Sequence, residues 1–261
     1  MKRKLTKSQL SMLKKQRLFE QRIAKSREKK ILECYIYLSS EIEREFIKSD
    51  IKDLKDFIDK TIDTGFKTQL KLKLNAIAKM NIDDFVKYFI EVFKRNINID
   101  EVQIIKSKLL NKFLDKYVGE TVKNVSNTTK DILKNRISKY TQEGLNFRDL
   151  TKRLVEDTRG EIGIKRARII ARTETSKAIT ASNHITAVKA GFKKKTWVYT
   201  HGSVTKREYH LVMNGVTIDI DKKFDVGGEG KVPPVKMRFP KDPECRVPGQ
   251  VISCACMIFY K

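Results

Sequence analysis

The sequence predicts an α+β protein, in which a long, mostly helical N-terminal region precedes a small α+β C-terminal domain. Apolar residues between positions 31 and 140 recur at three- and four-residue steps, the spacing of a helix that buries one face. No proline occurs before Pro233, and all five prolines lie between 233 and 248. Because proline breaks helices, its absence from the first 232 residues favours helical structure there.

Residues 1–30 are a strongly basic segment, with 12 lysines and arginines against 2 glutamates. We predict an N-terminal arm or helix whose apolar stripe is sparse and whose charge favours a phosphate-bearing or acidic partner. A frayed, disordered arm is the alternative. The candidate DNA-binding residues of this segment are Lys2, Arg3, Lys4, Lys14, Lys15 and Arg17.

Residues 31–145 are predicted to form several helices with a common apolar core. The predicted helix breaks and caps are Ser49–Asp50, Gly65, Asn81, Asn96–Asp100 and Gly144. Asn146 is the predicted N-cap of a short helix that ends at Asp157, and a turn is predicted at Arg159–Gly163. The C-terminal domain is therefore expected to span residues 146–261.

The whole chain has 56 lysines and arginines against 32 aspartates and glutamates, a formal net charge of +24. A domain this basic is typically neutralised by a polyanion, so nucleic acid is the expected partner; a solvated, lysine-rich surface is the alternative. No apolar run reaches the ~18 residues that span a bilayer, and the basic N-terminus lacks the apolar part of a secretory signal. We therefore expect a protein made in the cytosol.

The last third of the chain follows the order helix, strand, hairpin, polar loop, strand. The helix begins near Arg166, the first strand contains Trp197, and residues 206–224 are predicted to form a β-hairpin. The final strand is predicted to carry Cys254 and Cys256, whose side chains would then share one face.

This order resembles the phage head morphogenesis family, the Mu F-like minor head proteins of tailed bacteriophages. The resemblance covers roughly the last ninety residues. The matching residues are Arg172, Glu174, Trp197, Arg207, His210, Gly215, Phe224, Pro240, Asp242, Pro243, Ile252, Cys254 and Cys256.

The resemblance implies a minor head protein that associates with the portal and with capsid or scaffold proteins during prohead assembly. It implies assembly in the host cytoplasm, location in the virion near the portal, contact with double-stranded DNA without sequence preference, and no membrane partner during assembly. Some members of the family travel with the DNA.

Catalysis is not expected, because the chain has no Walker loop, Gly-x-Ser-x-Gly or His-Glu-x-x-His motif. The family usually carries an acidic residue shortly before the arginine that corresponds to Arg207, and Thr200–Lys206 contains none. Arg172 and Glu174 point to different faces of a helix, so we predict a buried ion-pair network rather than an ADP-ribosyl-type site. A nucleic-acid-processing enzyme or toxin, or a generic basic DNA-binding protein, is the alternative.

The cysteines and histidines of the C-terminal domain suggest a structural zinc site. Cys254 and Cys256 would supply two ligands, His210 and Cys245 would complete a tetrahedron, and His201 is a spare ligand. Two alternatives remain open at this point: reduced thiols packed in a small core, or a disulfide between Cys245 and one of the pair.

Lys193, Lys194 and Lys195 precede Trp197 and form a second candidate DNA contact, since they combine positive charge with an aromatic ring. The alternative is a solvated strand edge whose lysines prevent aggregation.

Overall fold

The structure, a computed structural model, describes residues 6–46, 51–93, 104, 107, 117–200 and 206–261. The predicted α+β class is confirmed, because long helices make up the N-terminal region and short antiparallel strands occur after residue 193. The helices are α1 (Lys7–Phe46), α2 (Ile51–Thr61), α3 (Lys67–Phe93), α4 (Gly119–Gln142), α5 (Phe147–Asp157), α6 (Gly163–Lys189), α7 (Glu208–Val212) and α8 (Pro248–Val251). The strands are β1 (Lys194–Val198), β2 (Thr217–Asp219), β3 (Phe224–Val226), β4 (Val235–Met237) and β5 (Met257–Tyr260).

The chain divides into two compact units that are discontinuous in sequence. The helical unit comprises Ser26–Ile77 and Leu114–Ala171, and the mixed unit comprises Met1–Lys25, Ala78–Phe113 and Arg172–Lys261. These units do not coincide with the segments 1–30, 31–145 and 146–261 that the sequence suggested, since each collects residues from distant parts of the chain.

The helical unit has a continuous apolar core built by the predicted helix faces. Tyr35 is fully buried and packs edge-to-face on Phe66, with 5.2 Å between ring centroids. Its hydroxyl lies 3.3 Å from the Thr129 hydroxyl and accepts a hydrogen bond of 3.4 Å from Arg166 Nε. Burying each large apolar side chain contributes about 1.5–3 kcal/mol, so this core is the main source of stability in the unit.

Two predicted helix ends in this region are wrong. A π-helical turn, Ile62–Phe66, carries the helix through Gly65. A Cβ at Gly65 would lie 2.5 Å from the Tyr37 hydroxyl, so the glycine permits a close approach rather than ending the helix. Asn81, which belongs to the mixed unit, lies inside α3 and is buried, and its Nδ2 lies 3.3 Å from Oγ1 of Thr175 in the same unit.

The predictions around residue 145 are largely confirmed. α4 ends at Gln142, Gly144 adopts a φ of 75°, and the Asn146 side chain accepts a hydrogen bond from the Asp149 N–H. The predicted turn at 159–163 is wrong, because a second π-helical turn, Thr158–Ile162, leads directly into α6. The predicted breaks at 49–50 and 96–100 lie outside the described residues.

The mixed unit contains a three-stranded antiparallel sheet in the order β2-β1-β5. In the register of β1 and β5, Trp197 lies opposite Ile258 and Lys195 lies opposite Tyr260. Trp197 and Lys195 share one face of the sheet because side chains alternate along a strand. A β-hairpin is present, but β3 and β4 form it, whereas residues 206–224 contain α7 and β2.

The described N-terminal residues belong to the mixed unit and are not a free arm. Leu13 of α1 packs with Val198 of β1 and Met257 of β5. Phe19 stacks on Tyr88 of α3, with 4.3 Å between ring centroids. The sparse apolar stripe of this helix therefore has a partner, which is the C-terminal part of its own chain.

Candidate metal centre

His210, Cys254 and Cys256 form a buried cluster in the mixed unit. The Cys254 Sγ lies 3.5 Å from His210 Nδ1, and the Cys256 Sγ lies 3.6 Å from the same nitrogen. The three residues are each at most 4% exposed. Their potential ligand atoms lie within 4.8 Å of one another, so the sequence correctly grouped these three residues.

The hydrogen bonds of Gln250 determine which nitrogen of His210 carries the proton. Gln250 Nε2 donates to the carbonyl oxygens of Gly227 and Pro233 at 2.9 and 3.0 Å. Its Oε1 therefore faces His210 Nε2 at 2.8 Å and accepts a hydrogen bond from it. The neutral ring consequently presents the unprotonated Nδ1 lone pair to both sulfurs.

This arrangement supplies three of the four ligands of a tetrahedral zinc ion. Zinc binds thiolate sulfur at ~2.3 Å and imidazole nitrogen at ~2.0–2.1 Å, which places two ligand atoms of a tetrahedron about 3.6 Å apart. The two measured nitrogen–sulfur distances, 3.5 and 3.6 Å, match this separation. The Gln250 amide is also the kind of outer partner that orients a metal-binding histidine.

The two cysteines reach this position from a turn, not from the predicted strand. α8 begins with Pro248 at its first turn and ends at Val251, and the Cys254 N–H donates to the Val251 carbonyl at 3.2 Å. Ser253 adopts a φ of 53°, which reverses the chain before β5 begins at Met257. Arg207 Nη2 donates to the Ile252 carbonyl at 2.6 Å and so fixes this turn next to α7.

The thiols of Cys254 and Cys256 interact with each other, which moves their pKa values in opposite directions. A hydrogen bond from the Cys256 thiol holds the pKa of Cys254 well below its ordinary value, although burial opposes ionisation. The same interaction with Cys254, together with burial, raises the pKa of Cys256 well above its ordinary value. The Trp197 indole N–H has no conventional acceptor among the described residues, but it lies close enough to Cys256 to lower the pKa of that thiol.

Cys245 does not belong to the cluster, so its predicted role as a ligand is wrong. Its Sγ lies 3.8 Å from the Val247 carbonyl, and burial raises the pKa of its thiol. All four cysteines are free thiols, so the predicted disulfide alternative is also wrong. His201 lies outside the described residues. The described side chains that line the site are those of Tyr199, Thr200, Arg207, His210, Cys254, Ala255 and Cys256, and none of them is a carboxylate.

Other residues of the pattern described in the sequence analysis lie in the mixed unit, and one of them, Trp197, packs against His210. Trp197 is fully buried and lies edge-to-face against both His210 and Phe224, with ring centroids 5.3 Å apart in each pair. The Gly215 N–H donates to the Trp197 carbonyl at 2.9 Å, and Gly215 adopts a φ of 79° that suits glycine. The Asp242 carboxylate binds the Arg238 guanidinium at 2.6 and 3.0 Å.

The predicted ion-pair network of Arg172 and Glu174 is only half present. Glu174 accepts a hydrogen bond of 2.9 Å from Lys177 on the same helix. Arg172 makes no hydrogen bond or ion pair with any residue that the structure describes, and it lines a polar pocket.

The candidate DNA-binding residues divide into three groups. Lys14, Lys15, Lys193 and Lys194 are exposed, and Arg17 is half-buried. Lys195 is fully buried: its Nζ donates to the Ile220 carbonyl at 2.8 Å and lies 5.6 Å from the centre of the Phe224 ring. Its predicted contact with DNA is therefore wrong, because β1 points its side chain into the core. Lys2, Arg3 and Lys4 lie outside the described residues.

Comparison of the chain with protein-family models, with curated proteins and with solved structures finds no match. Within the described ranges, every helix is too short or too polar to cross a bilayer.

Proposed function

We propose that this chain is a minor head protein of a tailed bacteriophage, with a structural zinc site in its mixed unit. The supporting observation is the convergence of His210, Cys254 and Cys256, which lie up to 46 residues apart in sequence, on one buried centre. These residues belong to the pattern that resembles the head morphogenesis family. Because residues of this pattern that are distant in sequence meet at one place in the fold, their convergence supports the resemblance.

Zinc is the metal that this donor set favours, because two soft thiolates and one imidazole are typical zinc ligands. When bound, zinc would link α7 to the segment before β5 and contribute folding free energy. Gln250 would orient the imidazole, and Trp197 would shield the sulfurs from water. We propose a structural role because the described lining of the site offers no carboxylate to act as a general base.

The proposed partners are the portal, capsid or scaffold proteins, and double-stranded DNA. A net charge of +24 supports binding to DNA phosphates, which are highly concentrated inside a packed head. The protein would be assembled in the host cytoplasm and lie in the virion near the portal. Its work would be binding and placement rather than turnover, in contrast to the alternative of a nucleic-acid-processing enzyme or toxin.

Mass spectrometry of purified proheads and mature virions from the producing strain tests this proposal. We expect the chain in proheads at low copy number, and we expect the full-length protein to co-purify with the cognate portal after co-expression. Absence of the chain from both particles would overturn the head-protein assignment.

A further inference from the structure

A second polar site lies beside the metal centre in the mixed unit. It is a pocket of about 30 Å³ whose charged lining consists of Arg17, Arg172, Lys241 and Glu20. Ser176 and Ser253 also line it. Cys254 lines both this pocket and the metal centre, so the same turn of the chain borders the two sites.

The one carboxylate of the pocket is already satisfied. Glu20 is 6% exposed, and its Oε1 accepts a hydrogen bond of 3.1 Å from Gln16. Its Oε2 lies 3.4 Å from Ser176 Oγ and 3.2 Å from the Nζ of Lys241, which is 2% exposed. Lys241 and Glu20 thus neutralise each other, and the charge of the two arginines remains in excess.

Those two arginines have no partner in the described part of the chain. Arg17 of α1 and Arg172 of α6 are both half-buried, and neither makes a hydrogen bond or an ion pair with a described residue. A guanidinium has five N–H donors and stays charged at any physiological pH. Two half-buried guanidiniums that line one pocket therefore leave unused donors and positive charge in its lining.

The backbone around the pocket is held in an uncommon conformation. Lys241 and Ser253 have φ values of 63° and 53°, in the left-handed region that residues other than glycine rarely adopt. Such residues cluster at functional sites, where the surrounding structure holds them in place. Here the two residues come from different loops and line the same pocket.

We propose that this pocket binds a phosphate group, with Arg17 and Arg172 as its principal ligands. Guanidinium groups match the oxygens of phosphate in paired hydrogen bonds, and the pocket is too small for more than a few ligand atoms. The phosphate would come from the DNA backbone or from a free phosphate. The first source rests on the DNA binding proposed above, but the pocket itself is tested independently of it.

The test compares two double variants of the full-length protein. R17Q/R172Q removes the two pocket charges, and K25Q/K189Q removes two exposed charges from the same two helices. Binding of inorganic phosphate is measured by calorimetry and by ³¹P NMR line broadening, with acetate as a second anion. Circular dichroism confirms that both variants fold.

We expect the parent and K25Q/K189Q to bind phosphate with the same affinity. R17Q/R172Q should bind phosphate at least tenfold more weakly. Equal binding by all three proteins, no binding by the parent, or equal binding of acetate and phosphate would overturn the proposal. If a double-stranded oligonucleotide competes with phosphate for the pocket, the DNA backbone is the source of the phosphate group. If the two do not compete, the ligand is a free phosphate. Because the readout uses no virion component, it does not depend on the head-protein assignment.

Discussion

Gln250 fixes the orientation of His210 across 40 residues of sequence, because its side-chain oxygen accepts from the ring Nε2 at 2.8 Å. The amide cannot rotate without losing its hydrogen bonds to the carbonyls of Gly227 and Pro233. The imidazole therefore keeps its Nδ1 lone pair directed at the two cysteines. A histidine that only filled space in the core would not need a hydrogen bond that fixes the orientation of its ring.

We expect the purified protein to contain about one zinc ion per chain, and Cys254→Ser to lose most of it. Loss of a ligand removes folding free energy that the metal supplies, so the melting temperature should fall by several degrees. Elemental analysis and thermal unfolding measure the two effects. Cys245→Ser is the matched control and should retain both zinc and stability. Zinc-free parent protein, or equal losses in both variants, would show that the thiols are only packed.

Gln250→Met should weaken zinc binding by about 10–100-fold without removing a ligand, since the histidine loses its orienting partner. The carbonyls of Gly227 and Pro233, which belong to exposed residues, would also lose their donor, at a net cost of about 0.5–1.5 kcal/mol for each hydrogen bond. Competition with a zinc chelator measures affinity, and urea unfolding measures stability. Gln142→Met, at the exposed end of α4, should change neither. Unchanged zinc affinity in Gln250→Met would contradict the orienting role.

Asp242 is expected to make the mixed unit sensitive to acid. Burial alone would raise the pKa of Asp242, but the Arg238 guanidinium and the backbone N–H groups hold this pKa below its ordinary value. A depressed pKa contributes stability that is present above the unfolded pKa, about 3.9, and is lost as pH falls further. Asp242→Asn should therefore lower the free energy of unfolding at pH 7. It should also flatten the decline of that free energy as the pH falls below about 4. Asp225→Asn, whose side chain is 78% exposed, is the control; the same decline in both variants would contradict this role.

Lys195 should affect stability and not DNA binding. Burial lowers the pKa of Lys195 to about 8, whereas the unfolded chain keeps the proton until about pH 10.4. Between these values the unfolded state binds more protons, so stability should rise with pH. Lys195→Met should abolish that rise in urea unfolding and leave DNA affinity unchanged. Weaker DNA binding by this variant than by Lys194→Gln would indicate that Lys195 reaches the ligand after all.

The exposed lysines of α1 should contribute to the salt dependence of DNA binding. Each phosphate contact adds about 0.9 to the slope of log affinity against log salt concentration. K14Q/K15Q should therefore lower this slope by about two. Fluorescence anisotropy with a double-stranded oligonucleotide measures it at several salt concentrations. K71Q/K152Q removes two exposed charges from the helical unit and should leave the slope unchanged; an equal change would indicate a diffuse effect of net charge.

The features that the sequence predicted well are those with a local cause. Helical periodicity identified the long helices, and the short polar side chain of Asn146 identified the start of α5. The convergence of His210 with the two cysteines was predictable because few residue types bind metals, and these three belong to one recognisable pattern.

The features that the sequence did not reveal depend on contacts between distant residues. Gly65 was interpreted as a helix end, but its small size serves the approach of Tyr37. Lys195 resembled Lys193 and Lys194 in sequence, but β1 is buried on both faces from Lys195 to Val198, which no local pattern indicated. The pocket of Arg17, Arg172 and Lys241 had no local signal, because its residues come from three separate parts of the chain.

The contact between Glu20 and Lys241 spans 221 residues and has a consequence for the order of events during translation. At ~5–20 residues per second, the ribosome needs on the order of 10–50 s to reach Lys241 after it has made Glu20. During that interval the first helix lacks the partner that covers Leu13 and Glu20. The segment around Leu13 and Glu20 is therefore a basic, partly apolar surface that a chaperone or a nucleic acid can occupy until Lys241 has been made.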